Sequence, residues 1–283
     1  MSTPRIAVAY LATPGGNDAV AVGEQLAHTL GAELDLCMVL PSERPALAAI
    51  PGNVLLKEAE GWLAAAAAGI SSDITVTTHL SFDDSSTSGL IAAAEDVGAE
   101  ALVVGGAGGG IASSFSLGSV VNDLVHASPI PVVIAPRGAR LTRNDRIREV
   151  TCAVGTRPGA DALLKSALRL CRDTATPLRL VSLVAVDNSD DLELAQQHAQ
   201  NALDHARSFL PEDIPVTSRV ASGPTVEDAV NKLGWHDGDV IMVGSSRLAQ
   251  PNRLFLGSTA AKMLRVLQVP MIVVPKAEGA DND

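Results

Sequence analysis

The sequence Val-Val-Gly-Gly-Ala-Gly at residues 103–108, followed after nine residues by Gly118-Ser119, decides the fold of this 283-residue chain. A partly degraded copy, Met-Val-Gly-Ser-Ser-Arg at residues 242–247, is followed by Gly257-Ser258. An apolar run closes each copy, at residues 130–136 and 269–275. The glycine, serine and proline landmarks of the two copies are all separated by 139 residues. A constant offset across so many landmarks indicates that one unit occurs twice in tandem.

Strand-like and helix-like segments alternate around each copy of the glycine motif. In the first copy, apolar runs predict strands at 6–10, 34–40, 74–80 and 101–105, and apolar periodicity predicts helices at 18–30, 54–68, 86–97 and 119–127. The second copy repeats this order from residue 150 to residue 244. Such alternation predicts an α/β fold with a mainly parallel sheet and helices on both faces. The predicted domains are 1–138 and 147–276, and the arginine-rich stretch 137–149 is interpreted as a solvated connector.

The composition restricts the classes of partner and compartment. The formal net charge is −11 and aromatic residues make up 2% of the chain, which argues against nucleic-acid binding. The amino terminus lacks the layout of a signal peptide, and no apolar run approaches the roughly 20 residues needed to cross a bilayer. We therefore expect a cytoplasmic protein that does not bind membranes. Burial is the favoured interpretation of Cys37, Cys152 and Cys171, which form no C-x-x-C pair.

The glycine motif has the chemistry of an anion site. Glycine lets a backbone N–H approach a phosphate closely, and Gly105, Gly108 and Gly118 supply such positions. Ser119 begins a predicted helix, so its hydroxyl would lie beside free N–H groups and the positive end of the helix dipole. The alternative is purely structural: the glycines close a tight turn and Ser119 caps the helix.

The spacing G-x-x-G, nine residues, then G-S resembles the nucleotide loop of the ATP-binding branch of the universal stress protein family. The resemblance covers nearly the whole chain and implies two tandem Rossmann-like domains of the adenine nucleotide alpha hydrolase-like kind, each with a mainly parallel five-stranded sheet. It implies that ATP binds, with or without Mg, and that valines border adenine while glycines and a serine receive the ribose and phosphates. The residues that match these family positions in the first copy are Val39, Val104, Gly105, Gly108, Gly118, Ser119 and Val120, and those in the second copy are Gly244, Gly257 and Ser258.

Two departures from the family pattern concern the same site. The family carries an Asp at the end of the first strand, where this chain has Leu11 or Thr13, depending on how the following turn is placed; the corresponding place in the second copy falls near Gly155. Arg247 stands where Gly108 stands in the first copy. Its side chain either obstructs close backbone approach, which is the favoured interpretation, or pairs with phosphate. The first copy is therefore expected to bind nucleotide more tightly.

No catalytic constellation accompanies the glycine motif. The sequence contains no G-x-x-x-x-G-K-[ST], H-E-x-x-H or G-x-S-x-G, so we expect no enzyme activity beyond very slow ATP hydrolysis. The function expected is that of a nucleotide-responsive regulatory module in the stress response. The alternatives are a scaffold of the same fold that does not bind nucleotide and a small-molecule hydrolase or synthetase. The apolar end strands of the two copies are expected to pair within the chain, because similar family domains pair through this strand, and a homodimer is compatible with this.

Overall fold

The computed structural model describes residues 3–42, 54–106, 118–142, 144–155, 160–186, 189–211, 214–246 and 253–275. The strands are β1 (Arg5–Ala9), β2 (Glu33–Leu40), β3 (Val76–Phe82), β4 (Ala101–Gly105), β5 (Val132–Ala135), β6 (Glu149–Ala153), β7 (Leu178–Ala185), β8 (Val216–Gly223), β9 (Asp239–Gly244) and β10 (Met271–Val274). The helices are α1 (Pro14–Leu30), α2 (Val54–Ala68), α3 (Ser86–Asp96), α4 (Ser119–Ala127), α5 (Ala139–Thr142), α6 (Ala160–Thr174), α7 (Ser189–Ser208), α8 (Val226–Asn231) and α9 (Ser258–Leu264).

The described strands form one sheet in the order β3-β2-β1-β4-β5-β10-β9-β6-β7-β8. Within each unit all neighbouring strands are parallel, as the alternation of strands and helices predicts. The two units meet where β5 pairs antiparallel with β10, with Val133 opposite Ile272. The fold class expected from the sequence is therefore confirmed, and one antiparallel pair joins the two parallel halves. Because that pair is antiparallel, the carboxyl ends of the strands lie at opposite edges of the sheet in the two units.

Most of the buried side chains form two apolar layers, one on each face of the sheet, and both layers span both units. Alternation along β1 shows the division: Ile6 and Val8 lie in the layer beneath α1 and α2, whereas Ala7 lies in the layer beneath α3 and α4. In the second layer, Leu124 of α4 is fully buried together with Met263 of α9. Burying a leucine side chain stabilises a fold by about 1.5–3 kcal/mol, so each layer also holds the two units together.

A buried charge lies near the amino ends of the strands at a matching position in each unit, but its sign differs. In the first unit Asp35, which opposes Ala7 in register, accepts hydrogen bonds from Arg5 (Nε 3.0 Å, Nη2 2.5 Å) and contacts His79 Nε2 at 2.7 Å. In the second unit the matching register position, opposite Thr151, is occupied by Arg179. These two units therefore share strand pairing but differ in the charge that the sheet buries.

The charged partner of Arg179 is a carboxylate, whereas the charged partner of Asp35 is a guanidinium. Its side chain is 11% exposed and forms an ion pair with Glu149 (Nε–Oε2 2.9 Å). Its directed hydrogen bonds go to neutral acceptors, the hydroxyl of Thr151 (2.8 and 3.0 Å) and the carbonyl of Leu233 (3.2 Å), and its guanidinium lies 5.1 Å from the ring centroid of Trp235. Glu149 begins β6 just as Arg5 begins β1, so carboxylate and guanidinium have exchanged strands between the units.

The arginine-rich connector is bound to the sheet and helices, so its interpretation as a solvated segment was wrong in part. Asp18 of α1 is 1% exposed and accepts hydrogen bonds from the backbone N–H groups of Gly138 (2.9 Å) and Arg140 (3.1 Å). The Arg140 guanidinium contacts the same carboxylate at 2.8 Å. Arg148 likewise pairs with the buried carboxylate of Asp239 at 2.8 Å. Two buried carboxylates, one from each unit, therefore hold the connector in place.

Candidate functional site

The amino terminus of α4 lies where the glycine motif predicts an anion site. Gly118 occupies the N-cap position in an extended conformation (φ −64°, ψ 164°) and provides no side-chain cap. The first turn of a helix leaves backbone N–H groups without intrahelical acceptors, and the helix dipole is positive there. Ser119 is exposed at the first helical position and Val120 is half-buried. This helix end therefore offers N–H donors and a hydroxyl to an anion. Gly108 lies outside the described residues.

Gly105 at the end of β4 is in close contact with the turn that follows β1. A Cβ atom at Gly105 would lie 1.9 Å from the carbonyl oxygen of Gly15, and a Cβ at Gly15 would lie 2.7 Å from the carbonyl oxygen of Gly106. Such approaches leave no room for a side chain at either position unless the backbone shifts. A backbone contact within the protein thus accounts for two of the glycines in this region, independently of any ligand.

The turn between β1 and α1 contains both candidates for the family's carboxylate position. Leu11 is 55% exposed, and its carbonyl oxygen would lie 1.9 Å from a Cβ at Gly16. Thr13 is the N-cap of α1, and its hydroxyl accepts a hydrogen bond from Gly16 N at 3.1 Å. Thr13 thus caps its own helix, and Leu11 presents an apolar side chain to solvent.

The valines predicted to border adenine lie in one apolar layer. Val39 of β2 is 8% exposed and Val104 of β4 is 2% exposed, and both belong to the layer that packs beneath α3 and α4. Val120 packs against the same layer. Gly89 of α3 approaches Val39 so closely that a Cβ there would lie 2.6 Å from Val39 Cγ1. The structure therefore brings the three valines to one face of the sheet and covers Val39 with α3.

The second unit has a looser strand end and a shorter helix at the corresponding position. A Cβ at Gly244 would meet no atom closer than 3.7 Å, from Leu163 Cβ. Gly257 is again an extended N-cap without a side-chain cap, and Ser258 begins α9, which has 7 residues against 9 in α4. Arg247 lies outside the described residues. The second unit thus repeats the uncapped helix terminus without the close backbone contact that Gly105 makes.

The three thiols are structural groups of the core. Burial and the nearby carboxylate of Asp35 raise the pKa of the Cys37 thiol to about 12. Burial alone raises the pKa of Cys171 to about 12, and burial also raises the pKa of Cys152 above its ordinary value. All three thiols are buried and unpaired, which confirms the prediction of burial. They are protonated at neutral pH and are poor nucleophiles.

Comparison with known proteins establishes the family of the chain. A profile described as "Universal stress protein family" matches residues 3–136 and again residues 146–275. The chain belongs to the universal stress protein family. A universal stress protein of Mycobacterium tuberculosis is 26% identical over 296 aligned residues, which span 95% of this chain and 99% of the relative. Family membership supports a role in the stress response.

Solved structures of universal stress proteins share the fold of this chain. One from Archaeoglobus fulgidus has a TM-score of 0.63 at 18% identity and covers 97% of this chain, with 99% of its own length matched. A putative universal stress protein from Pseudomonas aeruginosa has a TM-score of 0.60 at 18% identity, covers 97% of this chain and is matched over 94% of its own length. At this identity the likeness extends to the fold alone.

No helix among the described residues has both the length and the apolar character to cross a membrane.

Proposed function

We propose that this universal stress protein binds ATP at the first unit, with the phosphates at the amino terminus of α4, and acts as a nucleotide-responsive regulatory module in the stress response. One observation carries the proposal: the nine-residue helix α4 begins at an extended glycine with no side-chain cap. Because α4 connects the parallel strands β4 and β5, this helix begins at the carboxyl edge of the strands. Open α/β sheets bind ligands outside the carboxyl ends of their strands, and helix termini of this kind bind phosphate.

The first unit is proposed as the tighter of the two sites. Its helix is longer than α9, and its sequence keeps Gly108 where the second unit has Arg247. Val39 and Val104 lie in the apolar layer next to the same helix and are 8% and 2% exposed, so adenine is proposed to rest on the edge of that layer. Gly244, Gly257 and Ser258 in the second unit form the weaker counterpart.

Titration calorimetry of the full chain with ATP tests the proposal, using Gly118→Asp and Gly118→Asn as a matched pair. The extended backbone at Gly118 suits both residues, and both are good N-caps, so the variants differ only in charge. A carboxylate a few ångströms from a phosphate costs on the order of 4 kcal/mol at an effective dielectric near 20, roughly a thousandfold in affinity. We expect Gly118→Asp to lose ATP binding and Gly118→Asn to retain most of it.

The second unit supplies the control. A Cβ at Gly257 would make an ordinary contact, 3.5 Å from Ser246 Cβ, so Gly257→Asp fits the backbone environment. We expect it to weaken ATP binding less than Gly118→Asp does. An equal or larger loss from Gly257→Asp would show that the second unit is the principal site.

A second candidate function is a scaffold that does not bind nucleotide, and the contact between Gly15 and Gly105 favours it. That contact explains the glycine at the end of β4 without a ligand, and neither Leu11 nor Thr13 supplies a carboxylate. No heat of ATP binding to the wild-type chain at millimolar concentration would favour the scaffold.

Catalysis is proposed to be very slow at most. The site combines backbone donors and a serine, which stabilise phosphate charge but neither activate water nor accept its proton. Steady-state phosphate release from ATP should therefore remain far below the rates of about 1 per second or more that are typical of enzymes. Turnover at such a rate would mean that the chain is an ATPase.

A further inference from the structure

A segment of the second unit lies against the last turn of α4, the helix whose other end forms the proposed phosphate site. The segment is residues 253–256, which immediately precedes Gly257 and which we call the clamp segment. Its backbone donates two hydrogen bonds across the unit boundary, from Leu254 N to Ser128 O and from Leu256 N to Val125 O, each 3.1 Å long. The last carbonyls of a helix have no intrahelical donors, so these bonds satisfy groups that α4 alone leaves open.

The side chains of the clamp segment reinforce the backbone contacts. The Arg253 guanidinium donates to the carbonyl of Ala127 at 2.5 Å, which places a positive charge at the negative end of the α4 dipole. Leu254 and Leu256 are 1% and 6% exposed and lie in the apolar layer that contains Leu124. The clamp segment thus contacts α4 through a cation, backbone hydrogen-bond donors and buried apolar side chains.

The clamp segment is itself fixed to the end of β9. Phe255 N donates to Ser245 Oγ at 2.6 Å, and Ser246 N donates to Phe255 O at 2.8 Å. The ring of Phe255 meets His126 edge to face, with centroids 4.8 Å apart. The carboxyl end of a strand in the second unit is therefore connected through the clamp segment to α4 in the first.

The charge of the clamp is specific to the second unit. At the repeat offset, Arg253 corresponds to Ser114, whereas Leu256 and Gly257 correspond to Leu117 and Gly118. The sequence therefore has a leucine and a glycine at these positions in both units, but it places an arginine three residues before the leucine only in the second.

We infer that Arg253 is a positioning residue: it holds the carboxyl end of α4 so that the opposite end of the helix is ordered for an anion, and thereby couples the second unit to the ligand site of the first. The inference rests on the proposed function for the identity of the ligand. It gives the degraded glycine loop of the second unit a role other than binding nucleotide. Coupling of this kind is reciprocal, so a ligand at α4 must also stabilise the clamp segment.

Hydrogen exchange of the full chain without ligand tests the clamp directly. In Arg253→Ser, which installs the first unit's residue, the amides of Leu254 and Leu256 and those of the last turn of α4 should exchange up to about fivefold faster, because an exposed cation at the carboxyl end of a helix stabilises it by at most about 1 kcal/mol. Arg253→Lys keeps the cation and should remain within about twofold of wild type. Arg207→Ser removes a similar bond, from Arg207 Nη1 to Val216 O (2.6 Å), and should leave α4 unchanged. Unchanged exchange in Arg253→Ser would overturn the clamp.

Experiments with ATP distinguish coupling from a purely structural role of Arg253, since a purely structural residue would not change ATP affinity. Added to the wild-type chain, ATP should slow exchange at Leu254 and Leu256, and Arg253→Ser should bind ATP about threefold more weakly, with recovery in Arg253→Lys. Equal ATP affinity in wild type and Arg253→Ser, or no effect of bound ATP on these amides, would overturn the coupling. If the wild-type chain binds no ATP, the proposed function fails and the ligand-free exchange comparison decides the clamp by itself.

Discussion

The two units bury opposite charges at matching positions of the same sheet. The first unit buries the Asp35 carboxylate beside Arg5 and His79, and the second buries the Arg179 guanidinium beside Glu149. Strand order and register repeat while the charge pattern reverses. The difference teaches that the sheet accommodates a neutralised charge pair between the first two strands of a unit with either sign on either strand. The same freedom extends to the glycine loops, where Gly105 and Gly244 occupy matching strand ends in unlike surroundings.

Removing a partner of the buried guanidinium should have the largest effect. Glu149→Ala leaves Arg179, 11% exposed, with only neutral acceptors, and should lower the free energy of unfolding by about 3 kcal/mol. Glu33→Ala removes a 30%-exposed carboxylate while Arg5 keeps Asp35, so its loss should stay below about 1 kcal/mol. Urea unfolding followed by circular dichroism measures both. Similar losses in the two variants would break the comparison between the two charge pairs.

The second-largest effect on stability is expected from alanine at the two strand-end glycines, and its size should differ between the two units. Gly105→Ala drives a Cβ into the carbonyl of Gly15 and should cost about 1–3 kcal/mol, because backbone must shift to admit it. In Gly244→Ala the nearest atom is 3.7 Å away, so the change should stay within about 0.5 kcal/mol. Neither glycine has a positive φ, so backbone strain does not enter. Thermal unfolding of the two variants gives the ranking, and a greater loss from Gly244→Ala would contradict it.

Restoring the family's carboxylate should sharpen the contrast between the nucleotide sites. Leu11→Asp replaces a 55%-exposed apolar side chain, so the fold should tolerate it. One added charge-assisted hydrogen bond to adenosine should tighten ATP binding to the first unit roughly tenfold. Calorimetric titration measures the gain, with Leu11→Asn as the neutral control. An equal gain in both variants would exclude charge as the cause.

The thiols should report which unit opens first. Because burial raises the pKa values of Cys37 and Cys171 to about 12, both thiols are protonated at pH 8, and the folded chain should show no fast reaction with Ellman's reagent. All three cysteines should react at once in denaturant. At intermediate urea, mass spectrometry separates labelling of Cys37 in the first unit from labelling of Cys152 and Cys171 in the second. A fast-reacting thiol at pH 8 without denaturant would show that one unit opens readily.

The bounds of a helix or strand were predicted well where the sequence marks both of its ends. The bounds of α2, α4 and β4 agree with the prediction, since apolar periodicity and flanking glycines mark them. The start of α1 was predicted at Asp18 but lies at Pro14, because Thr13 caps the helix and proline suits its first turn. The short helix α5 was missed, and Glu149 belongs to β6 and not to the connector.

The candidate site was predictable only in its local part. Gly118 and Ser119 indicate the start of a helix in the sequence, and in the structure they are the N-cap and the first residue of α4. The contact of Gly15 with Gly105, the pairing of Arg140 with Asp18 and the contact of Arg253 with α4 each join residues about 90 or more positions apart. Such contacts depend on how strands assemble, and no local pattern encodes them.

The antiparallel pairing of β5 with β10 also has an evolutionary consequence. In an assembly of two identical chains related by a twofold axis, every substitution occurs at both ends of the sheet. A tandem chain is released from that constraint, and its halves remain associated at any protein concentration because mass action no longer separates them. One half can therefore acquire an arginine at position 253 while the other keeps serine at position 114. Covalent linkage thus allows the second unit to specialise in holding α4, the helix that carries the proposed phosphate site of the first unit.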